Sequence, residues 1–457
     1  MIKNERFKVM IFQWFSGIYL LITGEFRGIL SFHWRSLRCP PLKESLAVGG
    51  IFFAALLFYL MIGFHLSQGR YYEYYNLAFD MDSQRIFSML TGPVSDKFGF
   101  KHPFIVIARP MGQMFMLMGL GAKQAALSVM ATVGAATVVL VWLFLRTVGN
   151  SRLISAVLTS MFSVSGTQIY TAIIPETYGF ALFSIVLVWL LAARQLYSRP
   201  VAPLLRYGAA LAAIGVTVTN VNQVFFAEIT NILRSYRLNE ALKRLIAFGI
   251  VLVTLCLILS VFIWSREIAE FIGDPVTALK QIWWQQTKGP ATGIVPLLQT
   301  YLGYSFVSPE WSIVSLPEGT GMIDFRDWRF SSIGQIAMVL WLIFLGVGVL
   351  GSFINPGSRP LAIGLILALL FNLLFHLKYQ YRGSLFLYAA HMHFLVFALG
   401  SGLGVWSGPW SRLKKAFIAA AFVVTAVIAS NNYPIAQKFV KYFDDISKVT
   451  TCPAPCI

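Results

Sequence analysis

The chain has 457 residues, of which 57% are hydrophobic and only 12% are charged, and its mean hydropathy is +0.70. This composition excludes an ordinary soluble catalytic domain and is typical of a polytopic membrane protein. The formal net charge of +17 does not indicate nucleic-acid binding. Most basic residues lie in short segments between apolar runs, where they set the orientation in the membrane.

Residues 1–45 are a basic segment that precedes the first membrane-length run. Its apolar stretch from Val9 to Thr23 is interrupted by Gln13 and followed by further basic residues, unlike a cleavable signal peptide. We expect an amphipathic helix that lies on the cytoplasmic face of the membrane.

The first predicted span covers residues 46–66, and the basic residues before it place its start in the cytoplasm. Segment 67–124 is therefore predicted to be an external loop. Within that loop, 104–120 is apolar but carries Arg109 and Pro110, so we expect an interfacial helix there rather than a straight span.

Apolar length and the basic turns between runs predict the remaining spans. They lie at about 125–146, 153–173, 178–194, 204–233 (two short spans that meet near Asn220), 245–264, 334–354, 361–376, 385–405 and 416–430. The sum is roughly eleven spans in an all-α protein, with a long external loop at 265–333 and an external tail at 431–457. No internal sequence repeat is visible.

The first external loop contains the stretch FDMDSQR, which ends at Arg85. Asp82 and Arg85 are three residues apart, so they would share one face of a short helix. A carboxylate beside an arginine stays ionised and can accept a proton from a hydroxyl group. The alternative is that Asp80 and Asp82 cap a helix in a solvated turn, and the spacing fits that interpretation equally well.

Two further motifs follow along the chain. In KHPF, His102 precedes a proline that suits the first turn of the interfacial helix, near Arg109 at the membrane surface, although a histidine there is more often structural. In IPETYGF, Glu176 and Tyr178 lie between two apolar runs. An acid at that depth is a functional candidate, and snorkelling of its carboxylate to the outer interface is the alternative.

Polar residues return near the C-terminal spans, in FHLKYQYRGSLFLYAAHMHF. Lys378 and Arg382 stand at the outer end of one span, where they could bind an anionic headgroup or anchor the helix ends to lipid phosphates. His391 and His393 are two positions apart and face opposite sides of a helix, so a joint metal site is not expected. Asn220, in TNVNQ, is the other polar residue at membrane depth.

These motifs, in this order, resemble the N-terminal module of the GT-C fold glycosyltransferases: external acids, KHPF, a glycine-ended interfacial helix (MLMGLG) and an outward-facing IPETY. That family includes protein mannosyltransferases and lipid A aminoarabinose transferases. The resemblance covers about residues 46–200. For 201–430, a variable helical module, it rests on the number of spans and the external loop 265–333.

The resemblance implies transfer of a sugar from a polyprenyl-phosphate carrier on the outer side of the membrane, usually with inversion. An acid of the first external loop would serve as base or orient the acceptor, which places that role on Asp82 or Asp80. The histidine-proline element falls on His102 and Pro103. The mannosyltransferases show adjacent Asp and Glu where this chain has Asp-Met-Asp, and no large C-terminal external domain is visible, so the acceptor class does not carry over.

Candidate roles follow from this chemistry. Cations would bind the donor phosphate, whose negative charge grows as it leaves: Arg85, Arg109, Lys378 and Arg382. Substrate contacts are assigned to the remaining polar candidates: His102, Glu176, Tyr178, Asn220 and His391. A divalent metal at Asp80 and Asp82 stays an open alternative.

The expected partners are a polyprenyl-phosphate sugar, a lipid or glycan acceptor and membrane lipids. The compact basic chain suits a bacterial inner membrane, with the site facing the periplasm, and an internal eukaryotic membrane is the alternative. Two alternatives from other classes remain. A secondary transporter or a lipid-linked glycan flippase would use polar residues at a broken helix, for which TNVNQ is the candidate. A scaffolding subunit would not depend on the external acids.

Overall fold

The computed structural model describes most of the chain. The described residues are 2–30, 42–74, 77–92, 103–197, 201–235, 237–263, 273–274, 276, 293–315, 321–325, 328–378, 384–403 and 411–449. His102 and Arg382, two of the candidate site residues, lie outside these ranges.

The described part of the chain is almost entirely helical. Its first eight helices are α1 Ile2–Leu30, α2 Leu42–Gln68, α3 Ser83–Thr91, α4 Ile105–Leu117, α5 Ala122–Thr147, α6 Arg152–Ser163, α7 Gly166–Ile173 and α8 Thr177–Leu196. The others are α9 Pro203–Val216, α10 Val221–Ser235, α11 Leu238–Ile263, α12 Ile294–Leu298, α13 Ser332–Ile354, α14 Arg359–His376, α15 Leu385–Tyr388, α16 Ala390–Gly400 and α17 Ser411–Val449.

Short elements of other kinds connect these helices. Tyr71–Glu73 and Val218–Asn220 are single 3₁₀ turns, and Gln299–Tyr304 is a π-helical segment. The strands β1 Ser312–Ser315 and β2 Gly321–Asp324 form an antiparallel hairpin. The prediction of an all-α chain therefore holds except for this hairpin.

Within the described residues, seven helices are long and apolar enough to cross a membrane: α2, α5, α8, α11, α13, α14 and α17. The number becomes eight if α6 and α7, which meet at 63°, form one broken span. The chain is thus an integral membrane protein. The prediction of roughly eleven full spans is not confirmed in the described part of the chain.

Helix length and burial explain why fewer membrane-spanning helices are found than the sequence predicts. The predicted pair at 204–233 is present as α9 and α10, which meet at Asn220 as expected but have only 14 and 15 residues. At 1.5 Å per residue, each is about 22 Å long, short of the roughly 30 Å hydrocarbon core. The predicted span 385–405 is divided at Ala389, and its longer part, α16, has 11 residues that are all buried.

The predicted interfacial segment 104–120 forms α4, which contains Pro110 in its interior and is followed by Gly119 at φ +92°. A Cβ atom added to Gly112 would lie 2.3 Å from the Leu90 carbonyl oxygen, so α3 and α4 approach closely there. α4 buries one face and exposes apolar side chains such as Ile107 on the other. This exposed face is what a helix on a membrane surface requires.

α5 and α8 form the centre of the bundle and are mostly buried, whereas α2 and α17 mostly expose apolar side chains. Small residues permit this packing, because they let backbones approach each other. A Cβ atom on Gly134 of α5, for example, would lie 2.5 Å from the Cβ atom of Ala172 on α7.

Charged groups mark the two ends of the bundle. At one end, which we call the inner end, Glu44 pairs with Arg146 at 3.1 Å and with Arg152 at 3.3 Å. At the other, the outer end, Lys123 pairs with Glu73 at 2.6 Å. The basic turn after α5 and the start of α2 therefore lie together, as the predicted alternation of spans requires.

The N-terminal helix α1 is longer than the predicted amphipathic stretch and packs on α9 and α11. Its Glu25 pairs with Arg206 at 2.6 Å, and Arg206 also pairs with Glu228 at 3.3 Å. The Trp14 indole N–H donates to the Asn239 side chain at 3.0 Å. These contacts join α1 to the inner end of the helical bundle.

Candidate active site at the outer end

The acids of FDMDSQR lie in a turn with an unfavourable backbone conformation. Phe79 has φ +52° and Asp80 has φ +55°, and Leu403 is the only other non-glycine residue with positive φ in the described ranges. The left-handed region costs an L-residue about 1–2 kcal/mol. Two such residues in succession persist only where the surroundings hold them.

The hairpin of the long external loop supplies part of that support. The Phe79 N–H donates to the Ile323 carbonyl oxygen at 2.8 Å, and the Ile323 N–H donates to the Leu77 carbonyl oxygen at 3.0 Å. β2 thus pairs with the chain on the N-terminal side of the turn, in a parallel bridge at Ala78. Two loops that are about 240 residues apart in sequence meet beside the candidate acids.

The Phe79 side chain supplies a second anchor. It is fully buried and its ring contacts four others, with centroid separations of 4.8 to 6.0 Å. These rings belong to Tyr170, Phe325, Phe386 and Phe439. Aromatic packing from four separate segments therefore fixes the turn in place.

Asp82 and Arg85 form the ion pair that the sequence predicts at i and i+3. The Arg85 side chain is 30% exposed, whereas that of Asp82 is only 10% exposed, so Arg85 is the member of the pair that reaches the surface of the outer end. Asp82 occupies the N-cap position of α3, but its side chain makes no capping hydrogen bond. The alternative interpretation, in which this side chain caps the helix, is therefore wrong for Asp82. Asp80 is partly buried in the same turn.

Glu176 lies in the break between α7 and α8 and is only 3% exposed. Its Oε2 atom accepts a hydrogen bond from the Asp82 main-chain N–H at 2.5 Å. Its Oε1 atom accepts from the Thr177 N–H at 2.6 Å and from the Thr177 hydroxyl at 2.9 Å. The carboxylate does not snorkel to the interface, because it is enclosed by these protein donors.

Tyr178, Asn220 and His391, three of the predicted substrate-binding residues, come together. The His391 Nδ1 atom lies 2.7 Å from the Asn220 Oδ1 atom, and the Tyr178 ring contacts the imidazole edge-on at 5.2 Å. The Asn220 amide N–H donates to the Ala213 carbonyl oxygen at 3.0 Å, so its Oδ1 atom faces His391 as an acceptor and His391 Nδ1 is the donor. Asn220 and His391 thus form a hydrogen-bonded pair that contacts the Tyr178 ring.

His393 points away from this group, as the two-residue spacing predicts. Its Nε2 atom lies 2.8 Å from the Ser165 Oγ atom at the break between α6 and α7. In the described ranges no three His, Cys, Asp or Glu side chains are close enough to hold a metal ion. A metal at Asp80 and Asp82 would need ligands from elsewhere, and metal dependence stays an open prediction.

The candidate phosphate-binding cations are distributed over the outer end. Arg85 adjoins the acids, whereas Arg109 donates to the Gly92 carbonyl oxygen at 2.7 Å and thereby caps the end of α3. Lys378 is exposed just past the end of α14. Only Arg85 is therefore placed directly at Asp82 among the cations that the structure describes.

Asp324 and Ser384 form a further polar contact that the sequence did not predict. Asp324, at the end of β2, is buried, and its Oδ1 atom accepts from the Ser384 hydroxyl at 2.9 Å and from the Phe325 N–H at 2.7 Å. This contact joins the hairpin to the chain before α15. The only local signal was a lone acid in the apolar stretch GMIDF, which is too weak to distinguish it from a surface acid.

Charges around the turn shift two pKa values. Burial raises the pKa of Glu73, but hydrogen bonds from Lys123 and Arg70 outweigh this effect, so the pKa is lowered overall. Burial raises the pKa of the Tyr71 hydroxyl, and the nearby Glu176 charge adds to the rise. Lys123 and Arg70 thus form a cluster of charges with Glu73 at the outer end.

A search against protein families finds no family that matches the chain, and a search of curated proteins finds no match either.

Proposed function

We propose that the protein is a membrane glycosyltransferase that moves a sugar from a polyprenyl-phosphate carrier to a lipid-linked or cell-envelope glycan acceptor. The observation that carries the proposal is the Asp82–Arg85 pair, which follows a strained turn at the outer end. A carboxylate beside a cation stays ionised and can act as a base at neutral pH. A strained conformation held by its surroundings fits a preorganised site.

In the proposed reaction, Asp82 takes the proton of the acceptor hydroxyl group. The acceptor oxygen then forms a bond to the anomeric carbon of the sugar while the bond from that carbon to the phosphate oxygen breaks. The electron pair of the broken bond leaves with the polyprenyl phosphate. Attack from the face opposite the leaving group inverts the configuration. Asp80, in the same turn, is the alternative base.

The cations at the outer end suit the donor. Arg85 adjoins the base, and Lys378 is exposed and available to a phosphate group at the membrane surface. Arg109 has further guanidinium N–H groups besides the one on Gly92. Arg382 belongs to the same proposal, although it lies outside the described residues.

The neutral groups suit a sugar. Tyr178, Asn220 and His391 combine an aromatic ring with hydrogen-bonding side chains, which is what a sugar ring contacts in proteins. His102 is proposed to contact the acceptor. We also propose that the chain lies in a bacterial inner membrane, with the site facing the periplasm.

The test compares glycans and glycolipids by mass spectrometry in cells that produce wild type, Asp80→Asn or Asp82→Asn at equal membrane levels. Glu310→Gln is the matched control, because Glu310 is an exposed acid of the long external loop. We expect Asp82→Asn to remove one sugar unit from a product and to accumulate the polyprenyl-phosphate sugar. Unchanged profiles in both aspartate variants, with normal protein levels, would contradict the proposal.

A second candidate is a secondary transporter or a lipid-linked glycan flippase. It is favoured by the polar groups at the break between α9 and α10, where Asn220 contacts His391 and Asn222 exchanges amide hydrogen bonds with Asn372 at 3.2 and 3.3 Å. Broken helices with buried polar groups form many transport sites. Substrate movement in proteoliposomes that continues in Asp82→Asn, without a covalent product, would favour this candidate.

A further inference from the structure

Glu176 occupies a position where glutamate is not the usual residue. It is the N-cap of α8, where Ser, Thr, Asp and Asn predominate because their short side chains reach back to the first N–H groups of a helix. The Glu176 Oε1 atom performs this capping at Thr177. The longer side chain brings a second oxygen, Oε2, to a residue that is 94 positions away in sequence, Asp82.

The hydrogen bond from the Asp82 N–H to Glu176 provides the second support of the strained turn. On the N-terminal side, β2 holds Leu77 and Phe79 by two main-chain hydrogen bonds. On the C-terminal side, the Asp82 N–H is held by the Glu176 carboxylate. The turn at Phe79 and Asp80 is thus fixed at both ends, and the Asp82 side chain leaves the main chain in a defined direction toward Arg85.

The two carboxylates differ in what surrounds them. Glu176 is buried, and its two oxygen atoms accept three hydrogen bonds from the protein. The Asp82 side chain is also largely buried, at 10% exposed, but it pairs with Arg85, which is 30% exposed. The Glu176 carboxylate is thus engaged with main-chain and hydroxyl donors of the protein, whereas the partner of Asp82 is a partly exposed side chain.

We propose that Glu176 is a positioning residue: it fixes the main chain at Asp82 so that the Asp82 carboxylate is held ready for the acceptor. The role of Asp82 in this proposal rests on the proposed function. The hydrogen bond from the Asp82 N–H to Glu176, which we call the clamp, does not depend on that function. The proposal revises the prediction that Glu176 binds substrate.

The test separates helix capping from positioning by side-chain length. Glu176→Ser retains a good N-cap for α8 but cannot reach Asp82. Thr177→Ala is the matched control, since it removes one contact of Glu176 and leaves the bond to Asp82 in place. Hydrogen–deuterium exchange of the full-length protein in lipid nanodiscs reports both regions, and steady-state transfer assays report kcat and KM.

In Glu176→Ser we expect amides 79–83 to exchange about tenfold faster, as when one charge-assisted hydrogen bond is lost. Exchange in α8 should stay as in wild type. The kcat value should fall at least about tenfold with KM for the acceptor nearly unchanged, which a loss of binding would not produce. Thr177→Ala should show neither effect. Glu176→Asp, which keeps the charge but is one methylene shorter, provides the same comparison if the serine variant does not fold.

Unchanged exchange at 79–83 in the shortened variants would overturn the clamp, whatever the activity. Equal increases at 79–83 and in α8 would also overturn it, because Glu176 would then only stabilise the local fold. A kcat loss no larger than that of Thr177→Ala would overturn the positioning role. If exchange changes as expected while wild type transfers no sugar, the proposed function fails and the clamp stands.

Discussion

Glu44 at the inner end and Asp82 at the outer end are both carboxylates that pair with arginine, but their surroundings differ. Glu44 lies on a regular helix and receives hydrogen bonds from Arg146, Arg152 and the Trp142 indole. Asp82 follows a strained turn and pairs with Arg85. The first arrangement neutralises an acid to join three helices. The second holds a largely buried acid in a defined direction beside a partly exposed arginine.

The largest expected effect comes from replacing Arg85, the arginine that pairs with Asp82. Arg85→Gln should lower kcat/KM for sugar transfer by about 10²-fold, the scale of removing one group that stabilises charge in a transition state. Arg152→Gln, at the inner end, should leave transfer within about twofold. Assays at equal protein levels measure both. Equal activity in the two variants would remove the functional distinction between the ends.

The next effect concerns stability. Glu44→Gln removes the charge that joins α2 to α5 and α6, and hydrogen bonds to charged groups contribute about 1.5–3 kcal/mol each. Because Arg152 is 52% exposed, we expect a total near the lower limit, about 1.5 kcal/mol. Thermal unfolding in detergent should show a lower Tm, while activity per folded molecule is retained. A loss of activity without a change in Tm would contradict a structural role for Glu44.

A smaller effect is expected from relief of strain. Glycine adopts positive φ without the penalty that Asp80 bears, so Asp80→Gly should stabilise the protein by about 1 kcal/mol. If Asp82 is the base, transfer should persist within a few-fold. Denaturation and kinetics on the same preparation measure both quantities. Abolished transfer with raised stability would assign the base to Asp80.

The smallest effect is a dependence on pH at Glu73. Since the pKa of Glu73 is lowered in the folded protein, its contribution to stability is present above its ordinary pKa of 4.5 and is lost as pH falls through the lower folded value. Its side chain is 36% exposed, so solvent screening limits the contribution to below about 0.5 kcal/mol. Tm measured from pH 3 to 7 should vary slightly less in Glu73→Gln than in wild type. A larger variation of Tm with pH in Glu73→Gln than in wild type would contradict the lowered pKa of Glu73.

Local patterns in the sequence predicted several features correctly. Apolar length located the long helices, and the spacing of Asp82 and Arg85 predicted their ion pair. The polar interruption at TNVNQ predicted the break at Asn220. These features depend on helix period, helix length and neighbours within one turn, which a single segment determines by itself.

The span count shows where a local pattern is insufficient. An apolar segment such as 385–405 has the composition of a span, yet it is divided at Ala389 and enclosed by other helices. Hydropathy measures whether a segment tolerates an apolar environment. It does not distinguish lipid from the interior of the protein, and only packing against neighbouring helices makes that choice.

The candidate site was decided mainly by tertiary structure. The sequence identified Asp82, Glu176, Asn220 and His391 as separate candidates, but nothing local indicated that Glu176 would bind the Asp82 main chain or that Asn220 would contact His391. It gave no sign that β2 would pair with Leu77 and Phe79. Such contacts join segments that are far apart in the chain, so they exist only once the helices have packed and fixed the loops at the outer end.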